Sequence, residues 1–139
     1  MRAVHPFQVV RLFQSGTFMF ACLSGRGEVM VDGRWVTVGA NEACLLPPFT
    51  ANAIQAIRGE PEWKFCWVRY LETPGQNPLV SAKSPVKGAF DAAAFAHAVE
   101  GLQAESSERE PSLAQSHLWI ELIHGYVTGF AQPAHGDRA

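Results

Sequence analysis

The residues of this chain that could do chemistry are unevenly spread. Its histidines, His5, His97, His117, His124 and His135, all lie outside residues 7–71, the stretch richest in aromatic and β-branched side chains. A metal-dependent enzyme built on a small β-barrel needs two or three imidazoles, usually with a carboxylate, converging inside it. Strands drawn from residues 7–71 cannot supply them, so no metal, no cofactor and no catalysis is expected. His117 and His124 stand seven residues apart on one helical segment, a spacing that suits a polar helix face or an interface. No nucleophile-elbow motif supports a Ser/His/Asp triad. Cys22, Cys44 and Cys66 stand alone in apolar runs and read as buried core thiols of a reducing compartment.

Residues 63–71 carry the more telling pattern. Period-two alternation puts Phe65, Trp67, Arg69 and Leu71 on one face and Lys64, Cys66, Val68 and Tyr70 on the other. A tryptophan turned into a small barrel serves either as core packing or as a flat platform for a ring. The arginines sharpen the question, because a charge buried without a partner costs several kcal/mol. Arg69, and Arg11 on an earlier strand, must snorkel to a barrel mouth, form a structural ion pair or meet a ligand. Glu28 and Glu42 are the nearest carboxylates in sequence that could neutralise them from inside. Asn52 and Ile54 share one strand face, and the Asn52 amide offers both a donor and an acceptor to a hydroxyl or carboxylate.

The elements that must position these residues are short. Strands are predicted over residues 7–13, 18–24, 28–31, 34–38, 43–46, 51–57 and 63–71. They are separated by Ser24-Gly25-Arg26-Gly27, the hairpin signal Asp32-Gly33, Gly39-Ala40-Asn41-Glu42 and Pro47-Pro48. Strands this short, turning this often, fit a small closed barrel or sandwich. Residues 79–81 are a possible further short strand. Asp91 should cap a helix running to about residue 105. Ser112, behind Pro111, should cap a second helix ending near residue 130. That second helix carries two stripes. Trp119, Ile120, Ile123, Val127 and Phe130 suit packing, while Leu118, Leu122, Gly125 and Gly129 form a neighbouring face with small residues. The 139 residues suffice for one domain with a real core. The net charge of −2, with acidic residues in excess after residue 72, disfavours nucleic-acid binding by this segment. With no signal-peptide core and no apolar run of spanning length, the expected location is the cytoplasm, away from membranes.

Three motifs, LSGRGEVMVDGRW (23–35), LLPPFTANAI (45–54) and PEWKFCWVRYLE (61–72), together with ELIHGYVTGFAQP (121–133), resemble the amino-terminal domain of AraC-type transcriptional regulators. The resemblance implies a mainly β fold: a cupin-like (double-stranded β-helix) barrel followed by two α-helices. It implies a ligand-binding barrel over residues 1–88 and a helical dimerisation segment over 89–131. Residues 132–139 would then be a linker towards a DNA-binding domain that this chain lacks. The implied function is effector sensing, with a small polar molecule (sugar-like or carboxylate) inside the barrel. Trp67 and Asn52 would face inward, and the implied ligand contacts are Arg11, Asn52, Ile54, Phe65, Trp67 and Arg69. A homodimer would form through Leu118, Leu122, Gly125 and Gly129, and DNA would be met only through the separate domain. The family's proline-proline turn is commonly followed by a glycine and a histidine, and here Phe49 and Asn52 take those places. A left-handed backbone at Phe49 would be strained, so the turn is expected to differ locally. Because few residues precede the first strand in this sequence, a long regulatory arm closing over the ligand is not expected. Two alternatives stand beside this reading: a stand-alone cupin enzyme (isomerase or dioxygenase) with atypical metal ligands, and a dimerisation module whose barrel is filled by its own side chains.

Overall fold

The computed structural model describes residues 1–75, 79 and 84–131 of the 139-residue chain. They fall into two compact units, Met1–Ala92 and the segment from Ala93 onwards. Among the described residues the first unit holds nine strands: β1 (Arg2–Ala3), β2 (Gln8–Arg11), β3 (Phe18–Ser24), β4 (Arg26–Val31), β5 (Arg34–Gly39), β6 (Glu42–Leu46), β7 (Asn52–Ala56), β8 (Trp63–Arg69) and β9 (Val86–Ala89). They form two antiparallel sheets, ordered β1-β8-β3-β6-β9 and β2-β7-β4-β5. Successive strands cross between sheets in the order of a double Greek key, the jelly-roll arrangement of cupins. The mainly β, cupin-like fold with two following helices is therefore present.

Local chemistry explains the turns. Asp32 (φ 50°) and Gly33 (φ 81°) are both left-handed, the two-residue turn that matches strand twist and pins Val31 opposite Arg34. One end of the barrel is packed solid. Trp63 lies 4.3 Å from the Phe65 ring and meets Phe20 edge-on at 5.6 Å, and its indole N–H donates to the Cys22 thiol at 3.3 Å. Gly27 makes room for this indole, since a Cβ there would sit 2.3 Å from the ring.

Four features depart from expectation. The two-residue β1 pairs with the start of β8, Arg2 opposite Lys64 and Ala3 opposite Trp63; a strand that short leaves no periodicity to read. β9 arises where a loop was expected and pairs with β6, carrying the barrel to Ala89. The strands predicted to reach residues 13 and 71 stop at Arg11 and Arg69. Phe49 adopts φ 61°, so the turn keeps the left-handed residue instead of rearranging. Its N–H donates to the Gln14 carbonyl at 2.6 Å and its ring packs on Phe13 at 5.5 Å. These contacts offset a backbone cost of about 1–3 kcal/mol. The strand considered at 79–81 and the linker at 132–139 lie outside the described residues, apart from Leu79.

In the second unit, α1 (Ala92–Ser106) and α2 (Leu113–Ala131) follow the predicted bounds closely. Ser112 caps α2, its hydroxyl accepting the Gln115 N–H at 3.2 Å, and the Glu105 carboxylate accepts the Ser112 N–H at 2.9 Å. Trp119 lies over Gly101, where a Cβ would come within 2.5 Å of the indole. Phe95 meets Tyr126 edge-on at 6.2 Å, and Ile123 and Val127 are buried. Ile120, expected in the packing stripe, is exposed. At 100° per residue it falls at the border of the buried arc. Among the described residues no helix is long and apolar enough to cross a membrane.

Candidate functional site

The barrel end opposite Trp63 is built differently. β2 finishes and β7 begins there, with Arg11 directly opposite Asn52. The Arg11 guanidinium lies over the Phe18 ring, 5.1 Å from its centroid. Phe18 in turn stacks on Trp67 at 5.5 Å and 18°, and Arg69 is the cross-strand partner of Phe18. Arg11, Asn52, Trp67 and Arg69 thus gather at one end, with Trp67 44% exposed. Ile54 and Phe65 do not join them. Each sits two residues deeper along its strand, inside the packed core cluster.

Gln14 was missed by sequence reasoning, and it completes the group. After β2 the chain exposes Leu12 and Phe13 and then turns Gln14 inward to 1% exposure. The backbone fixes it there: its N–H donates to the Thr50 carbonyl at 3.2 Å and its carbonyl accepts from Phe49. Its side-chain oxygen accepts the Asn52 Nδ2 hydrogen bond at 2.8 Å, and Asn52 is itself only 6% exposed. Gln14 lies in a loop, so no alternation marks it in the sequence.

Three buried polar atoms in this group, Arg11 Nη1, Gln14 Nε2 and Asn52 Oδ1, have no hydrogen-bond partner among the described residues. Each such orphan costs about 1–3 kcal/mol, and folded proteins carry few of them. Thr17 Oγ1 is a fourth, outside the Arg11–Gln14–Asn52 group. Burial, and then the charge of Arg69, pull the Arg11 pKa below its ordinary value. Among the described residues no ion pair includes Arg11 or Arg69. Glu28 and Glu42 are not the partners expected. Glu28 faces outward from β4 and accepts from Gln55 at 2.8 Å. Glu42 sits at the far end of β6, bound to the Gly39 N–H at 2.8 Å and to Lys87 at 3.4 Å.

A clamp holds the loop that bears Gln14. Glu72 accepts the N–H of Thr17 at 2.5 Å and that of Leu79 at 2.8 Å, and the Thr17 carbonyl accepts from Tyr70 at 2.8 Å. Burial pushes the Glu72 pKa up, but the hydrogen bonds from Thr17 and Leu79 outweigh it and hold the carboxyl below its ordinary value. Among the described residues no group of three or more His, Cys, Asp or Glu is placed to hold a metal. His117 pairs with Glu121 on the surface of α2 at 3.0 Å. Leu118 and Leu122 are 60% and 46% exposed on α2, and Gly125 and Gly129 are exposed too.

No family model and no curated protein sequence matches the chain. Among solved structures it is similar to apo ToxT from Vibrio cholerae strain SCE256, with a TM-score of 0.58 at 9% identity over 94% of this chain and 52% of that one. It is also similar to unsaturated-fatty-acid-bound wild-type ToxT from the same strain, with a TM-score of 0.50 at 12% identity over 94% of this chain and 55% of that one. The chain spans about half the length of these matches. At such identities the likeness is one of fold alone: the chain shares the cupin-like fold of these structures.

Proposed function

We propose that this chain is the effector-sensing and dimerisation domain of an AraC-type transcriptional regulator, working in the cytoplasm. It holds a small polar molecule, sugar-like or carboxylate, at the barrel end where Arg11, Asn52, Trp67 and Arg69 gather. The observation that carries this reading is the set of buried polar atoms on Arg11, Gln14 and Asn52 without partners among the described residues, beside the stacked Phe18 and Trp67 rings. A purely structural barrel gains nothing from such a group, whereas a receptor uses it. Ile54 and Phe65 form the apolar floor beneath. One of the structures this chain resembles, ToxT, binds an unsaturated fatty acid, which supports a ligand carrying a carboxylate. The exposed stripe of Leu118, Leu122, Gly125 and Gly129 pairs two copies, and DNA is met through a separate domain. Ligand binding biases how that domain is presented, by the difference in affinity between two arrangements.

A thermal-shift screen of sugars, sugar acids, aliphatic acids and aromatic acids tests the reading. A ligand at a hundred times its dissociation constant adds about 2.7 kcal/mol of stability. The expected result is at least one hit whose shift disappears in Trp67→Ala and Arg11→Met. A set of hits untouched by both substitutions would place binding elsewhere and overturn the reading.

A further inference from the structure

The orphan atoms specify more than polarity, because each has a hydrogen-bonding sense. Arg11 Nη1 and Gln14 Nε2 are donors, while Asn52 Oδ1 is an acceptor. Exchanging O and N in both amides keeps that inventory: the Asn52–Gln14 pair always spends one N–H and one carbonyl on itself and leaves a donor and an acceptor over. Beside them stand two guanidinium groups, Arg11 and Arg69, with no carboxylate paired to either among the described residues. A neutral sugar would satisfy the amides and leave the partly buried Arg11 cation unanswered, whereas Arg69 is exposed to solvent. A plain carboxylate would answer the cations and leave the acceptor facing an anion. The remaining surface is aromatic: Phe18 under Arg11 and Trp67 stacked on it.

We infer that the effector is a hydroxylated carboxylic acid with a flat apolar body. Its carboxylate is met by Arg11, its hydroxyl donates to the free amide carbonyl of the Gln14–Asn52 pair, and its body lies against Trp67. This inference rests on the proposed ligand site and narrows its chemistry. The two amides are held before the ligand arrives: they bond to each other, the Gln14 backbone is bonded to Phe49 and Thr50, and the Asn52 backbone is registered against Arg11 on β2. Preorganisation of this kind lowers the ordering cost of binding.

The test is a titration of the full chain, followed by calorimetry and thermal shift, with benzoate, the three hydroxybenzoates, methyl 4-hydroxybenzoate and D-glucose. At least one hydroxybenzoate is expected to bind roughly tenfold tighter than benzoate, the ratio that one satisfied buried hydrogen bond gives. The methyl ester and glucose should produce no shift. Asn52→Leu should erase the preference for the hydroxyl while retaining acid binding, and Arg11→Met should erase the preference for acid over ester. Equal binding of acid and ester, a preference for glucose, or a hydroxyl preference that survives Asn52→Leu would each overturn the inference. So would the failure of every acid in the set. The proposed site would stand after any of these if a compound of another class gave a shift that depends on Trp67 and Arg11, and would fall with the inference if none did.

Discussion

At the scale of single residues, Arg11 is the informative one, because its position makes little sense as packing. It is desolvated, repelled by Arg69 and has a buried Nη1 without a partner among the described residues. Its one evident compensation among the described residues is the Phe18 ring, and a cation–π contact at a partly exposed site is worth about 0.5–1 kcal/mol. Replacing an unpaired, partly buried cation by an apolar side chain of similar length is neutral or favourable. Arg11→Met is therefore predicted to be at least as stable as the parent in urea denaturation, gaining up to about 1 kcal/mol, while losing the ligand-induced thermal shift. A clear loss of stability would mark Arg11 as structural. The inward facing of Trp67 and Asn52 and the ligand position of Arg11 came from the family resemblance; from alternation alone only the shared face of Trp67 and Arg69 was legible. Gln14 was not, because what turns it inward is its backbone pairing with Phe49 and Thr50, about 35 residues away along the chain.

At the scale of elements, the short strands were legible because turn chemistry brackets them. Asp32-Gly33 and Pro47-Pro48 mark their ends without help from the rest of the fold. β1 and β9 were hidden for a shared reason: each is an edge strand of at most four residues, ordered by its neighbour and not by its own pattern. The loop between β2 and β3 is likewise held from outside, by Glu72. Gly16 is required there, since a Cβ would lie 1.8 Å from the Tyr70 carbonyl oxygen. Because the Glu72 carboxyl is held below its ordinary value of 4.5, its contribution is fully present above that pH. It is lost as the pH falls through the lower folded-state value. Glu72→Gln should thus be less stable than the parent at pH 7, and the difference should shrink as both are acidified below about pH 4. Thermal melts from pH 3 to pH 7 measure this, and a gap that stays constant across the range would show that the carboxylate charge is not what holds the loop.

At the scale of the whole molecule, the barrel is packed at one end and polar at the other, and α2 presents an apolar face to solvent. The packed end, with Trp63 over Gly27, is a scaffold that holds the strands on which Arg11, Asn52 and Trp67 stand. Leu118 and Leu122 are too exposed to contribute to the core of their own unit, and Gly125 and Gly129 below them permit close helix approach. Leu118→Asp is predicted to sediment as a monomer where the parent sediments as a dimer; an unchanged oligomeric state would remove this face from the proposal. The central claim, that the polar barrel end receives the effector, is tested most directly by nuclear magnetic resonance on ¹⁵N-labelled protein. The indole N–H signals of Trp35, Trp63, Trp67 and Trp119 are followed as the strongest thermal-shift ligand is added. The account predicts a large shift at Trp67, with the Gln14 and Asn52 side-chain amides moving in step and Trp63 and Trp35 nearly still. Perturbations centred on Trp119 or Trp35, with Trp67 and the two amides unmoved, would contradict it.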